Sequence, residues 1–210
     1  MKQPRPTDSG TSERILDAAE RMVQTGGFNG FSYADVAVEL GVTTAALHYH
    51  FRNKADLGEA LVVRYTERFA QALAAVDAAR LDAARRLAAF AELYVEVVRR
   101  GRMCLCGMLA AEYRTLPLKV QQAVVGFFDR NEAWLAGVLE VGRHDHSLRF
   151  EGAPIEVARF VVSELEGAML LARLHDDADQ FEQSVRRVLS GLAETRESST
   201  RRRPVRQPDG

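Results

Sequence analysis

Apolar residues recur every three or four positions along most of this chain, the mark of helices that each bury one face. In the first periodic segment Ile15, Leu16, Ala19, Met22 and Val23 share a stripe, and Gly26-Gly27 ends it, because glycine readily takes the left-handed conformation that caps a helix. A short second helix follows. Ser32 can cap it, with Asp35 three residues on in a weaker version of the Ser-x-x-Glu box, and Val36, Ala37 and Leu40 form its buried face. Gly41 stops that helix, and Thr43 or Thr44 can cap a third, whose Leu47 and Phe51 point back at the first two. A long helix is expected from about Lys54 to Ala78, with Leu57, Ala60, Leu61, Tyr65 and Phe69 on its packed side. Further helices are expected over Leu87 to Val98, Met108 to Tyr113, Lys119 to Val141, Pro154 to His175 and Gln180 to Glu194. Pro117 and Pro154 mark starts, and Gly142 with the following Arg-His-Asp-His-Ser marks a turn. No stretch alternates apolar and polar residues long enough for a sheet, so the expected fold is all-α.

The outward face of the third helix is unusual. Where a solvated helix carries Glu and Lys, this one carries Thr44, Ala45, His48 and Tyr49. Two short helices joined by a tight glycine turn form a helix-turn-helix, which offers the outer face of its second helix to a DNA major groove. Small residues let the backbone approach, threonine can touch a thymine methyl, and His and Tyr can bond phosphates or base edges. Lys54 would add a charge and a helix N-terminus suited to a phosphate.

The stretch GFNGFSYADVAVELGVTTAALHYHFRNKADLGEAL resembles the N-terminal signature of the tetracycline-repressor (TetR) family of bacterial transcriptional regulators. The likeness lies in the order of helix, Gly-Phe turn, short helix, Gly-Val-Thr and Tyr-x-Phe-x-x-Lys, and covers about residues 12 to 61. It implies a homodimer whose N-terminal three-helix head binds a palindromic operator. A larger helical domain would hold a ligand pocket and supply a four-helix dimer interface. Carried over, Thr43, Thr44, Ala45 and His48 fall where base contacts are usual, and Ser32, Tyr49 and Lys54 where phosphate contacts are usual. His50 matches a position that often holds His or Tyr.

Composition agrees with a globular chain: 210 residues, 47% hydrophobic, 27% charged, net charge −1. No segment has the apolar run of a secretion signal or a membrane span, which points to the cytoplasm. The expected organisation is an N-terminal tail over 1–11, a helix-turn-helix domain over 12–55, a regulatory and dimerisation domain over 56–195, and a basic tail over 196–210. Residues 1–64 hold seven Lys and Arg against eight Asp and Glu, so either the acids face away from DNA or binding is modest and steeply salt-dependent. The Arg-rich run from Arg201 to Arg206 reads as a solvated end that could assist DNA binding.

In the regulatory half, soft and aromatic residues on the middle helices are pocket candidates: Phe90, Tyr94, Met103, Met108, Tyr113, Phe127, Phe128, Trp134 and Met169, with Glu112 and Glu166 as polar groups. Any single one of them is more often plain core, while a family pocket should draw on several. Their character suggests a small apolar or aromatic effector. For dimerisation the candidates are Phe160, Val161, Glu164, Gly167, Ala168 and Leu171, then Phe181, Val185, Val188 and Leu192 on the last helix. Such a dimer would set two recognition helices roughly 34 Å apart on a pseudo-palindromic site.

Cys104 and Cys106 are too few and too close for a disulfide framework. They read as core residues, as a thiol sensor, or, with His144, His146 and His175, as zinc ligands. No cofactor is implied. The function expected is a ligand-responsive DNA-binding repressor rather than an enzyme; the alternatives are a thiol-switched DNA-binding regulator and an all-α metalloenzyme.

Overall fold

The computed structural model describes residues 8–193, which fold as nine α-helices with no strand among them. The head comprises α1 (Asp8–Gly26), α2 (Tyr33–Leu40) and α3 (Thr44–His50). The body comprises α4 (Lys54–Ala78), α5 (Ala83–Arg99), α6 (Leu105–Ala111), a 3-10 turn (Tyr113–Thr115), α7 (Leu118–His144), α8 (Pro154–His175) and α9 (Ala178–Leu192). α1 already begins at Asp8, inside the segment expected as a tail, while residues 1–7 and the basic run from Arg201 lie outside the described residues. No helix among the described residues is long and apolar enough to cross a membrane.

Local signals set most boundaries. Ser32 and Asp35 close a full capping box on α2, and Gly41 ends that helix at φ +65. Thr43 caps α3, Asn53 caps α4, Asp82 caps α5 and Asp177 caps α9, each by a side-chain oxygen that accepts a backbone N–H of the first turn. At α6 the cap is unusual: the Cys104 sulfur accepts from the Gly107 N–H at 3.4 Å, so this helix starts three residues before the expected Met108.

Gly142 corrects one reading. It does not make a turn but lies buried inside α7, where a Cβ would stand 2.5 Å from Leu148 and 2.9 Å from the Ala83 Cβ. The chain reverses at His146, which takes the left-handed conformation at φ 61. The glycine is there for close packing, a demand set by residues distant in sequence.

One continuous apolar core runs from head to body. Leu47 and Phe51 of the α3 region meet Ile15, Val23 and Val36. Below them Leu57, Leu61 and Val62 of α4 join Phe90, Tyr94, Phe127 and Leu135. α4 therefore spans both halves, and at Gly58 it is thin enough for Phe28 of the head and Val120 of α7 to close on it, since a Cβ there would meet them at 2.7 and 3.0 Å.

Candidate nucleic-acid interface and its coupling to the regulatory core

Thr43 caps α3 by accepting from the Ala46 N–H at 3.3 Å, which leaves Thr43, Thr44, Ala45, His48 and Tyr49 exposed together on one surface. Tyr49 is 75% exposed. His48 packs on the Tyr33 ring at 4.7 Å, and its Nδ1 lies 3.1 Å from the Arg52 carbonyl. A carbonyl oxygen can only accept, so Nδ1 holds the proton and Nε2 is left to face outward as an acceptor while the ring is neutral. Tyr33 donates to the Phe51 carbonyl at 2.9 Å, and burial, then Asp56, pushes its phenol up to about 12, so it remains a donor. The recognition helix is thus oriented by groups on α2 and on its own C-terminus.

Two of the expected DNA-contacting residues have other partners. The Ser32 hydroxyl donates to Asp35 Oδ2 at 2.7 Å, and this bond holds the Asp35 carboxyl below the usual carboxylate range. Lys54 turns inward. Its ammonium donates to the Phe28 and Phe31 carbonyls and sits 4.7 and 4.2 Å over their rings, where loss of water pulls its pKa down. It braces the α1–α2 turn instead of standing out toward a phosphate.

The acids of the head are also occupied. Arg64 of α4 pairs with Glu13, Asp17 and Glu20 at 2.9 Å each, and Arg68 takes Glu20 from the other side. Arg21 pairs with Glu39, and Lys119 of α7 with Asp56 and Glu59. The Arg64 and Arg68 pairs bind head to body, Arg21 with Glu39 ties α1 to α2, and Lys119 ties α7 to α4.

The tightest joint is at the end of α1, whose last carbonyls have no partner within the helix. Arg173 of α8 donates to the Thr25 carbonyl, and the Met103 N–H to the Gln24 carbonyl at 3.3 Å. Glu112, just past α6, then accepts from the Phe28 and Asn29 N–H groups at 2.5 and 3.2 Å. Asn29 returns a bond to Thr115 at 2.7 Å. Gly27, at φ +84, is required twice: by its backbone angle and because a Cβ would stand 2.9 Å from Glu112. Sequence reasoning placed Glu112 among pocket residues; its role in the joint depends on partners some 80 residues away and left no local signal.

Behind α6 lies the half-buried side chain of Glu166. The Glu166 carboxyl is pushed up to about 7 by burial, and its Oε1 is sealed without a partner, as is the Tyr94 hydroxyl. Cys104 donates its backbone N–H to the Met169 sulfur at 3.1 Å, and Tyr65 donates to the Cys104 sulfur at 3.8 Å. Both thiols are buried and pushed up, first by burial and then by Glu166, so neither is a thiolate in this state. Gly107 makes room for the acid, since a Cβ there would lie 2.1 Å from Glu166 Oε2. Among the described residues no three of His, Cys, Asp and Glu gather closely enough to hold a metal ion.

The other pocket candidates divide. Phe90, Tyr94 and Phe127 cluster around Phe69, Phe128 packs on Phe127, and Trp134 stacks on Phe90 at 5.8 Å while donating to Asp77. Met103 and Met169 line a cleft of about 270 Å³ between α5, α8 and the start of α9. Met108 receives Arg173 at 3.3 Å, and Tyr113 is partly exposed on the 3-10 turn. The dimer candidates divide too. On α8, Phe160, Glu164, Gly167 and Leu171 are exposed and, with Leu170 and Leu174, form one outward stripe. Val161, Phe181, Val185 and Leu192 are buried in the protomer's own core and cannot meet a partner, while Ala168 and Val188 are half-buried between the two sets.

Residues 15–61 match the family of bacterial regulatory proteins, tetR family, and residues 83–188 match the tetracyclin repressor-like C-terminal domain. A TetR-family transcriptional regulator from Agrobacterium tumefaciens superposes with TM-score 0.86 at 30% identity, covering 90% of this chain and all of that one. A TetR transcriptional regulator from Legionella pneumophila gives 0.80 at 31% identity, with 91% and 100% covered. The HTH-type transcriptional repressor NemR of Escherichia coli is 25% identical over 89% of this chain and 96% of its own length. The chain belongs to the TetR family of bacterial regulatory proteins and is a ligand-responsive, DNA-binding transcriptional regulator rather than an enzyme.

Proposed function

We propose that the protein is a cytoplasmic homodimeric repressor that holds a pseudo-palindromic operator and releases it when a small apolar or aromatic effector binds. The observation that carries this reading is the exposed row Thr43, Thr44, Ala45, His48 and Tyr49 on a helix whose first turn is small enough to enter a major groove. Base contacts are assigned to Thr43, Thr44, Ala45 and His48, and a phosphate contact to Tyr49. The two-fold contact is assigned to the outward stripe of α8, where Phe160, Leu170, Leu171 and Leu174 are each more than half exposed. The effector is assigned to the core beside Glu166 and Tyr94, whose sealed polar atoms lack partners. Its entry would shift α6, and Glu112 would carry that shift to the turn before α2. A thiol switch through Cys104 or Cys106 fits less well, because it needs a thiolate and burial holds both thiols protonated.

Fluorescence anisotropy on labelled DNA from the intergenic region beside the gene tests the reading, with Tyr49→Ala as control. Tight binding by a dimer that the variant loses supports it. Equal binding by Tyr49→Ala would remove α3 as the reading element.

A further inference from the structure

A second cleft, of about 370 Å³, lies between α1, α4 and α5, apart from the Glu166 core. Three helices face it with a regular spacing. α1 contributes Asp17, Glu20, Arg21 and Gln24, and α4 contributes Tyr65, Arg68, Phe69 and Ala72, each set at i, i+3, i+4, i+7. α5 contributes Leu93, Val97 and Arg100, and Arg102 follows on the loop toward α6.

The charges in this cleft do not balance. Asp17 and Glu20 are neutralised by Arg64 and Arg68, Arg21 by Glu39, and Arg100 by Glu96 at 3.3 Å. Arg102 is half-buried, and its guanidinium has no hydrogen bond or ion pair among the described residues. Close to Arg102, because the Gln24 carbonyl accepts from the neighbouring Met103 N–H at 3.3 Å, Gln24 is 3% exposed, lines the cleft, and its Oε1 is sealed without a donor. The apolar lining of the same cleft is Phe69, Ala72, Leu93 and Val97. An unpaired guanidinium is suited to a carboxylate, which it can grip with two parallel bonds, and a sealed acceptor is satisfied by an O–H or N–H.

We propose that this cleft is a ligand site for a small organic carboxylate with an apolar body and a hydroxyl group. The carboxylate pairs with Arg102, the body lies on Phe69, Leu93 and Val97, and the hydroxyl donates to Gln24. The site has one wall on the head and two on the body, so an occupant biases the angle between them. That consequence rests on the DNA-binding reading above; the binding itself does not.

The test is calorimetric titration and saturation-transfer NMR on the full-length protein without DNA. The probes are 4-hydroxyphenylacetate, benzoate and hexanoate, each beside its uncharged amide. At least one carboxylate is expected to bind in the millimolar range or tighter, with 4-hydroxyphenylacetate the strongest and the amides weaker by about tenfold. Arg102→Gln should cost a similar factor, and Ala72→Phe should fill the cleft and abolish binding. The proposal is overturned if no carboxylate binds up to roughly 10 mM, if amides bind equally well, or if both cleft variants bind like the parent protein. Operator anisotropy is run separately. Failure there strikes the repressor reading, while the titrations still decide the site.

Discussion

Replacing Glu166 by glutamine tests the electrostatics of the core directly. In the folded protein the carboxyl is pushed from 4.5 to about 7 by burial. Between those values the folded state keeps a proton that the unfolded chain has released, so unfolding sheds a proton and stability must fall as pH rises. Below about pH 4.5 the acid is neutral in both states and costs nothing. Above about pH 7 it is ionised in both, and the loss is complete. The gap between 4.5 and about 7, at roughly 1.4 kcal/mol per pH unit, corresponds to about 3 kcal/mol. Glutamine keeps the shape and cannot ionise, so any constant cost of its extra N–H groups is the same at every pH. Urea denaturation of both proteins at one fixed protomer concentration, from pH 5 to 8, measures the difference. The variant should gain on the parent from pH 5 to about 7, by roughly 2.5 kcal/mol, and run parallel from there to pH 8. Curves parallel throughout would mean that the carboxyl is solvated or paired in the native state and that the sealed Oε1 is not an energetic fact.

Gly107→Ala should destabilise the protein by about 1–2 kcal/mol, because its Cβ would meet Glu166 Oε2 at 2.1 Å and the carboxylate end must shift; pairing it with Glu166→Ala should recover most of that loss in the same denaturation assay. Lys54→Met keeps the stem over Phe28 and Phe31 but leaves two carbonyls without their donor, so the melting transition should fall by the equivalent of about 1–3 kcal/mol. An unchanged melting temperature would return Lys54 to the DNA-facing surface. Leu171→Glu places a charge in the exposed stripe of α8 and should yield folded monomers in sedimentation velocity; an intact dimer would move the two-fold contact elsewhere.

The head was legible because its signals are local. Ser32 with Asp35, Gly41, and Thr43 each act within four residues, and the periodicity of Val36, Leu47 and Phe51 identified the buried face. What could not be read depends on contacts between distant segments. Gly142 resembles a turn glycine until Leu148 folds back onto it. Lys54 resembles a phosphate ligand until Phe28 and Phe31 supply their carbonyls. On α8 and α9, apolar spacing marks residues that avoid water but cannot distinguish a protomer's own core from its partner: Phe160 and its neighbour Val161 look alike in sequence, yet the first is exposed and the second buried.

The inward turn of Lys54 also bears on how the regulator responds to its ionic surroundings. DNA binding draws much of its free energy from condensed cations set free when protein charges replace them, with a log–log slope of roughly −0.9 per phosphate neutralised. Here Lys54, Arg64 and Arg21 are committed within the protein, and Arg14 donates to the Leu40 carbonyl, which leaves Arg52 as the exposed cation next to the recognition helix among the described residues. Docking through these described residues alone is expected to displace few ions. On the docking proposed above, the grip of these described residues rests on shape and neutral donors, and a shallow salt slope is the expected result when anisotropy is repeated at several salt concentrations.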